Sequence, residues 1–221
     1  MGYQQLLLKI YERLYQQLGP SHWWPAETNL EVMVGAILTQ NTAWRNVEKA
    51  IVRLKEAKIL SYDGLLQVDD ARLSQLIQPA GFYRQKTQYL KNLIYFLRDH
   101  CKGNLKQLFE DDVHGLRKEL LNIKGVGYET ADSILLYAGN MPLFVIDAYT
   151  KRVFSRLKLM DEKTSYQKAQ EFFMINLPTD VQLFNEYHAL IVRLCHTRCL
   201  KKPCCEDCPL IPFCLYKSSP K

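Results

Sequence analysis

The sequence lacks a long hydrophobic run. Its longest apolar stretches, such as residues 144–146, are far shorter than the roughly 20 apolar residues of a membrane-spanning helix. The opening residues, Met-Gly-Tyr-Gln-Gln, resemble neither a signal peptide nor a transit peptide. We therefore predict a protein that has no membrane segment and is located in the cytoplasm.

The sequence also lacks the sustained alternation of apolar and polar residues that indicates β-strands, and it contains no internal repeat. Almost every segment instead repeats its apolar residues at helical spacing, which predicts an all-α chain. With 221 residues, 48% of them hydrophobic, the chain can bury one sizeable core or two small ones. After a first helix with an apolar stripe over residues 6–18, helices are predicted over residues 30–38, 44–55, 62–67, 71–77, 84–100, 113–121, 130–138, 148–157, 166–175 and 180–194. Residues 218–221 are predicted to form a loose tail.

Acidic residues are in the minority. The chain has 29 lysines and arginines against 23 aspartates and glutamates, which gives a formal net charge of +6. An excess of positive charge suits a polyanionic partner, but proteins without such a partner often carry a similar excess. Charge alone therefore does not decide between function classes.

Cysteine is scarce outside one short segment. Of the seven cysteines, only Cys101 precedes residue 195. Four of the others are separated by five, two and five residues: Cys199, Cys205, Cys208 and Cys214. In a chain without an export signal, such a cluster is more typical of a metal site than of disulfides. Four thiolates suit a [4Fe–4S] cluster or a structural zinc ion, and the spacing alone does not separate the two.

Residues 121–135 contain a glycine turn between two predicted helices, with the pattern Leu-x-Ile-x-Gly-Val-Gly-x-x-Thr-Ala-x-x-Ile-Leu. Two glycines let the backbone turn tightly and approach a partner, while amide groups at the start of the next helix face outward and can bind a phosphate. An ordinary helix–helix connection is the simpler alternative. The apolar flanks and the Thr-Ala pair favour a helix–hairpin–helix motif that binds the DNA backbone. We predict that Lys124, Gly125, Val126 and Gly127 make this contact.

An aspartate stands at the start of another predicted helix. Asp147 directly precedes residues 148–157, in the stretch Phe-Val-Ile-Asp-Ala-Tyr-Thr. The simplest role for Asp147 is to cap that helix, because aspartate is among the preferred residues at this position. A capping role leaves the carboxylate available for chemistry as well.

The glycine turn, the stretch FVIDAYTKRVFSRL and the cysteine cluster together resemble the endonuclease III branch of the helix–hairpin–helix DNA glycosylase superfamily. The resemblance covers nearly all of the chain, from about Trp23 to Cys214. It implies an all-α fold of two domains with DNA bound across the cleft between them. A six-helix barrel that ends in the hairpin would span residues 25–135. Residues 1–24 and 136–221 would form the second domain, which carries an iron–sulfur cluster.

This resemblance implies roles for two carboxylates. Asp147 matches the catalytic aspartate of the family, whose charge stabilises the oxocarbenium-like sugar and orients the attacking water. Glu129 stands where bifunctional members carry a lysine that forms a Schiff base, and a carboxylate cannot do so. Lys124 and Lys151 are alternative amines, although phosphate contact is the role we expect for both. The sequence thus predicts a monofunctional glycosylase without AP lyase activity.

The same resemblance favours a [4Fe–4S] cluster over zinc as the cofactor. The family usually has six residues between the first two cysteine ligands, whereas Cys199 and Cys205 are separated by five. Because of this departure, Cys195 and Cys204 remain alternative ligands.

Tryptophan is rare and falls early, at Trp23, Trp24 and Trp44. The stretch HWWPAETNLEVMVGAILTQNTAW, with GFYRQK at residues 81–86, is similar to the 3-methyladenine DNA glycosylase subgroup of the family. This similarity implies that Trp24 and Trp44 sandwich the flipped base, and that Gln40 enters the gap left in the duplex. Packing in the core is the alternative for the tryptophans, and Gln40 is alternatively a polar residue that ends a buried helix.

The similarity implies a substrate as well. An alkylated purine is cationic, so it stacks well on indoles and is already a good leaving group. We therefore predict hydrolysis of an alkylated purine such as 3-methyladenine from double-stranded DNA, by a monomer, in base excision repair. A described member of the subgroup lacks the cluster and has a lysine at the position of Leu190, which leaves alternatives open. These are a glycosylase for oxidised pyrimidines or mispaired bases, and a non-catalytic DNA-binding module.

Overall fold

The computed structural model describes residues 2–216, so the tail predicted over residues 218–221 lies outside the described part of the chain. The described part contains helices and no β-strand, which confirms the all-α prediction. The α-helices are α1 (Tyr3–Leu18), α2 (Asn29–Leu38), α3 (Trp44–Glu56), α4 (Tyr62–Gln67), α5 (Asp70–Leu76), α6 (Tyr83–Cys101), α7 (Leu105–Leu108), α8 (Val113–Asn122), α9 (Tyr128–Ser133), α10 (Ala148–Arg156), α11 (Tyr166–Asn176) and α12 (Val181–Thr197). Two 3-10 helices cover Gln78–Ala80 and Ile211–Phe213, and a π-helical segment covers Ile134–Ala138. None of the helices within residues 2–216 has the length and apolar character needed to cross a membrane.

The chain divides into two compact units. The middle unit is Trp24–Met141, and the terminal unit joins Met1–Trp23 to Pro142–Lys221. The middle unit contains α2 to α9, and the terminal unit contains α1 and α10 to α12.

The core of the middle unit is built around α2. Every residue from Leu30 to Leu38 is buried, as the apolar sequence of this segment predicts. Thr28 caps the helix by accepting a hydrogen bond of 3.1 Å from the backbone N–H of Glu31. The helix packs against α6 and the π-helical segment. That segment completes the predicted helix over residues 130–138, all of which are buried.

The core of the terminal unit is aromatic, and α12 packs in it against α1 and α10. Five aromatic side chains are fully buried: Phe144, Phe154, Phe173, Phe184 and Tyr187. The rings of Phe144 and Phe173 stack in parallel with centroids 4.1 Å apart. The hydroxyl of Tyr187 donates a 2.9 Å hydrogen bond to the carbonyl oxygen of Leu7. This packing holds α10 and α12 in place relative to each other.

One helix was not predicted from the sequence. The helix α7 has only four residues, which is too short for a periodic pattern to be recognised. When α9 is taken together with the π-helical segment, the predicted ends of the other helices lie within three residues of the observed ends, a normal scatter for frayed termini.

Candidate active site

The predicted phosphate-binding turn connects α8 to α9 in the middle unit. Gly125 has a φ of +104°, and a Cβ at this position would lie 2.2 Å from ring atoms of Tyr89. Only glycine satisfies both constraints. Gly127 has extended backbone angles of −97° and −178°, and a Cβ there would meet nothing within 4 Å. The packing of the protein therefore requires glycine at position 125 but not at position 127, which leaves an open surface at Gly127.

Side chains from elsewhere in the middle unit hold the carbonyl groups of this turn. Asn92 Nδ2 donates a 2.9 Å hydrogen bond to the carbonyl oxygen of Lys124. Gln40 Nε2 donates to the carbonyl oxygen of Gly125 at 2.9 Å and to Thr130 Oγ1 at 3.0 Å. Gln40 therefore supports the turn in this structure. Its predicted insertion into DNA would require these two hydrogen bonds to break.

The other predicted contact residues of the turn differ in exposure. Lys124 is exposed, whereas the side chain of Val126 is buried, so Val126 can offer only its backbone to a ligand. Glu129 is exposed in the first turn of α9, where the helix dipole favours a negative charge.

An ion pair that the sequence analysis missed joins the two helices of the hairpin. Arg117 on α8 donates to Asp132 on α9 through two parallel hydrogen bonds, Nε–Oδ1 at 2.6 Å and Nη2–Oδ2 at 2.9 Å. The Asp132 side chain is fully buried. The Arg117 guanidinium also lies over the ring of Tyr128, 5.2 Å from its centroid. No short-range sequence signal pairs these residues, because they lie on different helices.

A second missed feature precedes α6. Phe82 is 65% exposed and has a φ of +46°, an unusual backbone conformation for an aromatic residue. Lys86, one turn into the helix, is buried, and its Nζ donates to the carbonyl oxygens of Leu38 and Ala80 at 2.7 and 2.8 Å. Burial lowers the pKa of Lys86 to about 8. These bonds tie the end of α2 to the turn that presents Phe82.

The two predicted base-binding tryptophans lie together in the middle unit. The ring centroids of Trp24 and Trp44 are 5.2 Å apart, with the ring planes at 89°. Both indoles line a cavity of about 240 Å³, together with Pro25. A Cβ at Gly35 would lie 3.0 Å from the Trp24 ring, so this glycine lets the indole pack closely on α2. The structure thus brings together, in one pocket, the two aromatic side chains that were predicted to bind the base.

Asp147 directly precedes α10 in the terminal unit and caps it, as predicted, through a 2.6 Å hydrogen bond from the backbone N–H of Thr150 to Oδ1. The other carboxylate oxygen, Oδ2, lies 3.5 Å from Nε2 of His188 on α12. Both side chains are buried. Burial opposes ionisation of Asp147, but the neighbouring His188 side chain and the hydrogen bond from the Thr150 amide outweigh it, so the pKa of Asp147 is lowered. A buried carboxylate is therefore kept ionised at neutral pH.

Arginines from α10 hold the first segment of the cysteine cluster. Arg156 Nη1 donates to Cys199 Sγ at 3.0 Å and to the carbonyl oxygen of Leu200 at 2.8 Å. Arg152 Nε donates to the carbonyl oxygen of Cys199 at 2.9 Å. The pKa of Cys199 is lowered to about 6 by a hydrogen bond from the Cys195 thiol and by Arg156. Cys199 is therefore poised to be a thiolate, the form that binds metals.

The four regularly spaced thiols influence one another. Burial raises the pKa of Cys208, and the neighbouring charges of Cys199, Cys205 and Cys214 raise it further. Within residues 2–216, no three histidine, cysteine or acidic side chains are gathered closely enough to bind one metal ion.

Comparison with known proteins supports this assembly of features. Residues 34–178 match the family described as HhH-GPD superfamily base excision DNA repair protein. The chain is 50% identical to the "Putative DNA repair glycosylase MJ1434" of Methanocaldococcus jannaschii, over 96% of this chain and 97% of that protein. A solved structure of H. pylori 3-methyladenine DNA glycosylase, bound to 1,N6-ethenoadenine, is similar with a TM-score of 0.76 and 26% identity, over 89% of this chain and 98% of that one. A trapped endonuclease III–DNA covalent intermediate shares the fold with a TM-score of 0.83 and 23% identity, over 97% of each chain.

The family match covers most of the chain and includes both the glycine turn and Asp147. The chain belongs to the HhH-GPD superfamily of base excision DNA repair glycosylases.

Proposed function

We propose that this protein is a monofunctional glycosylase that hydrolyses the N-glycosidic bond of an alkylated purine, such as 3-methyladenine, in double-stranded DNA. The observation that carries the choice of substrate is the pocket lined by Trp24 and Trp44. A base drawn out of the stack needs an aromatic surface to rest on, and a cationic purine gains cation–π attraction as well. The likeness to the H. pylori protein named 3-methyladenine DNA glycosylase agrees with this choice.

The geometry of the indoles limits how the base can bind. Trp24 and Trp44 meet edge to face at 89°, so they leave no parallel gap between them. A flipped base can stack on the open face of one indole, and it can be sandwiched only after the other has rotated. Both modes use the same two side chains.

Asp147 would supply the catalytic charge. Loss of the base leaves positive charge on the sugar, and a fixed carboxylate stabilises this charge and orients the attacking water. The Thr150 amide and His188 hold the Asp147 carboxylate in its ionised form. Since an alkylated purine leaves as a neutral base, the reaction needs little acid catalysis.

An assay on a panel of duplex oligonucleotides tests this proposal. We expect the purified protein to release 3-methyladenine faster than thymine glycol or uracil, each measured as strand breaks after alkaline treatment. Without alkali the strand should stay intact, and borohydride should trap no covalent complex with abasic DNA, because Glu129 cannot form a Schiff base. Faster release of oxidised pyrimidines would contradict the substrate. Efficient trapping would contradict the monofunctional mechanism and would point to another amine, such as Lys124 or Lys151.

We propose further that the glycine turn contacts a DNA phosphate at Gly127, and a pair of variants tests this contact. Gly127→Asp should fold normally, since its Cβ would meet no protein atom, but should weaken binding to undamaged duplex of any sequence. Gly125→Ala should instead lower the free energy of unfolding by about 1–3 kcal/mol, because it strains the backbone and clashes with Tyr89. Fluorescence anisotropy and urea unfolding measure the two effects. Wild-type DNA affinity in Gly127→Asp at low salt would exclude the contact.

We propose that Cys199, Cys205, Cys208 and Cys214 hold a [4Fe–4S] cluster whose role is to fold their loop. Anaerobically purified protein is expected to contain about four irons per chain and to absorb broadly in the visible range. Cys208→Ser should lose both iron and stability, whereas Cys101→Ser, which changes a cysteine outside the cluster, should keep its iron. Stoichiometric zinc without iron would contradict this cofactor. Iron retained in Cys208→Ser would shift the ligand set toward Cys195 or Cys204.

A further inference from the structure

The cavity beside the two tryptophans contains charged side chains as well as aromatic ones. Apart from the indoles and Pro25, it is lined by Ile51, Val52 and Lys55 of α3 and by the carboxylates of Glu31 and Glu48. Two carboxylates and one ammonium group thus share a small pocket with two indoles. The balance of these charges decides which ligands the pocket favours.

One of the two carboxylates, Glu31, is held in an ion pair with Lys55. Glu31 Oε1 lies 2.9 Å from Nζ of Lys55, and the same Nζ also lies 2.9 Å from Oε1 of Glu27. Glu31 is only 5% exposed. Lys55 therefore forms ion pairs with both Glu27 and Glu31.

Glu48 has a different environment. Its Oε1 accepts a 2.9 Å hydrogen bond from Nε1 of Trp44, one turn earlier on α3. Glu48 is exposed, and within residues 2–216 it forms no ion pair. An indole N–H that donates to a carboxylate has a more electron-rich ring face, so Glu48 adds to the negative potential over Trp44. Glu48 therefore places a negative charge that has no ion-pair partner among residues 2–216 beside an aromatic surface.

This charge has the sign opposite to that of the whole chain, whose net charge is +6. A negative charge on a surface that meets only the phosphate backbone weakens binding, because it repels the phosphates. Its presence next to two indoles is explained if the bound group is a cation. A ring-alkylated purine is such a group.

We infer that Glu48 is a specificity-determining residue, which favours a cationic purine over a neutral base of similar shape. This inference rests on the proposed function and assigns the charge preference of the same pocket to one side chain. Glu48 acts in two ways: its carboxylate attracts the positive ring directly, and its hydrogen bond orients and polarises Trp44.

The test compares Glu48→Gln with Glu56→Gln. The first variant keeps an oxygen that can accept the Trp44 hydrogen bond and removes the charge. The second removes an exposed charge from the same helix outside the pocket, which controls for altered DNA affinity. Excision is measured on duplexes that contain cationic 3-methyladenine or neutral 1,N6-ethenoadenine. We expect Glu48→Gln to lower kcat/KM for the cationic base about tenfold, which is a typical loss for one partly desolvated cationic contact. The kcat/KM for the neutral base should change less than about twofold.

Equal losses on both substrates, or no loss on either, would overturn the inference. A second measurement does not depend on catalysis: quenching of tryptophan fluorescence by cationic 7-methylguanosine and by neutral guanosine. Wild type and Glu56→Gln should bind the cation more tightly, and Glu48→Gln should lose most of this preference. If the wild-type protein released no methylated purine, the proposed function would be wrong. The inference about Glu48 would then depend on the nucleoside titration alone, and an unchanged preference for the cation in Glu48→Gln would contradict it.

Discussion

Replacing Asp147 with asparagine is expected to slow base release at least about a hundredfold, because the charge that stabilises the developing positive sugar is removed. The fold should survive. Asparagine is a good helix cap and can still accept the hydrogen bond from the Thr150 backbone that begins α10. Binding to a duplex with an intact lesion should therefore stay close to wild type. Single-turnover excision and fluorescence anisotropy on the same methylated duplex measure the two quantities separately.

Asp180→Asn provides a matched control. Asp180 caps α12 in the same unit by accepting a 2.8 Å hydrogen bond from the backbone N–H of Leu183, and it is exposed. The variant thus makes the same chemical change at a cap of another helix, and it should excise normally. Wild-type excision by Asp147→Asn, or equal losses in both variants, would show that the carboxylate of Asp147 has no special role.

The pH dependence of Asp147 follows from its environment. Burial raises its pKa, but His188 and the Thr150 amide lower it by more, so the folded-state pKa lies below the ordinary value. A depressed carboxyl pKa stabilises the folded state above the unfolded pKa, and this contribution is lost as the pH falls through the folded pKa. Asp147 should therefore stay ionised through neutral and mildly acidic pH.

Removing the guanidinium of Arg117 should have the largest effect on stability. In Arg117→Leu, the fully buried carboxylate of Asp132 loses both of its hydrogen bonds from arginine. Removing one member of a buried ion pair typically costs about 3–5 kcal/mol. We expect a loss of this size in the free energy of unfolding, measured in urea, and a weaker affinity for DNA, since α8 and α9 frame the glycine turn.

Two further variants make this prediction specific. The double variant Arg117→Leu/Asp132→Leu removes both charges and should recover much of the lost stability, because no buried charge remains. Arg98→Leu breaks the exposed ion pair between Arg98 and Asp99 and should change stability little. If Arg117→Leu were as stable as Arg98→Leu, the hairpin would not depend on the buried pair.

Several features of the site follow from local sequence. The predicted helix over residues 62–67 forms α4 with the same ends. Both its apolar spacing and its capping residue, Ser61, are local features of one short segment of the sequence. Thr28 before α2 and Asp147 before α10 are also caps that lie next to their helices in the sequence. In contrast, α7 offered no pattern of sufficient length.

The sequence by itself determined the all-α class, the glycine turn, the helix that Asp147 caps and the family. All of these depend on residue types at short spacings along one chain. Only the tertiary structure decided which glycine of the turn is free to meet a partner, because Tyr89 packs against Gly125 from another helix. It also decided that His188 faces Asp147, and that Lys55 pairs with Glu31 and not with Glu48. The physical reason is that the charge and burial of each group depend on neighbours brought from distant parts of the chain, which no local pattern encodes.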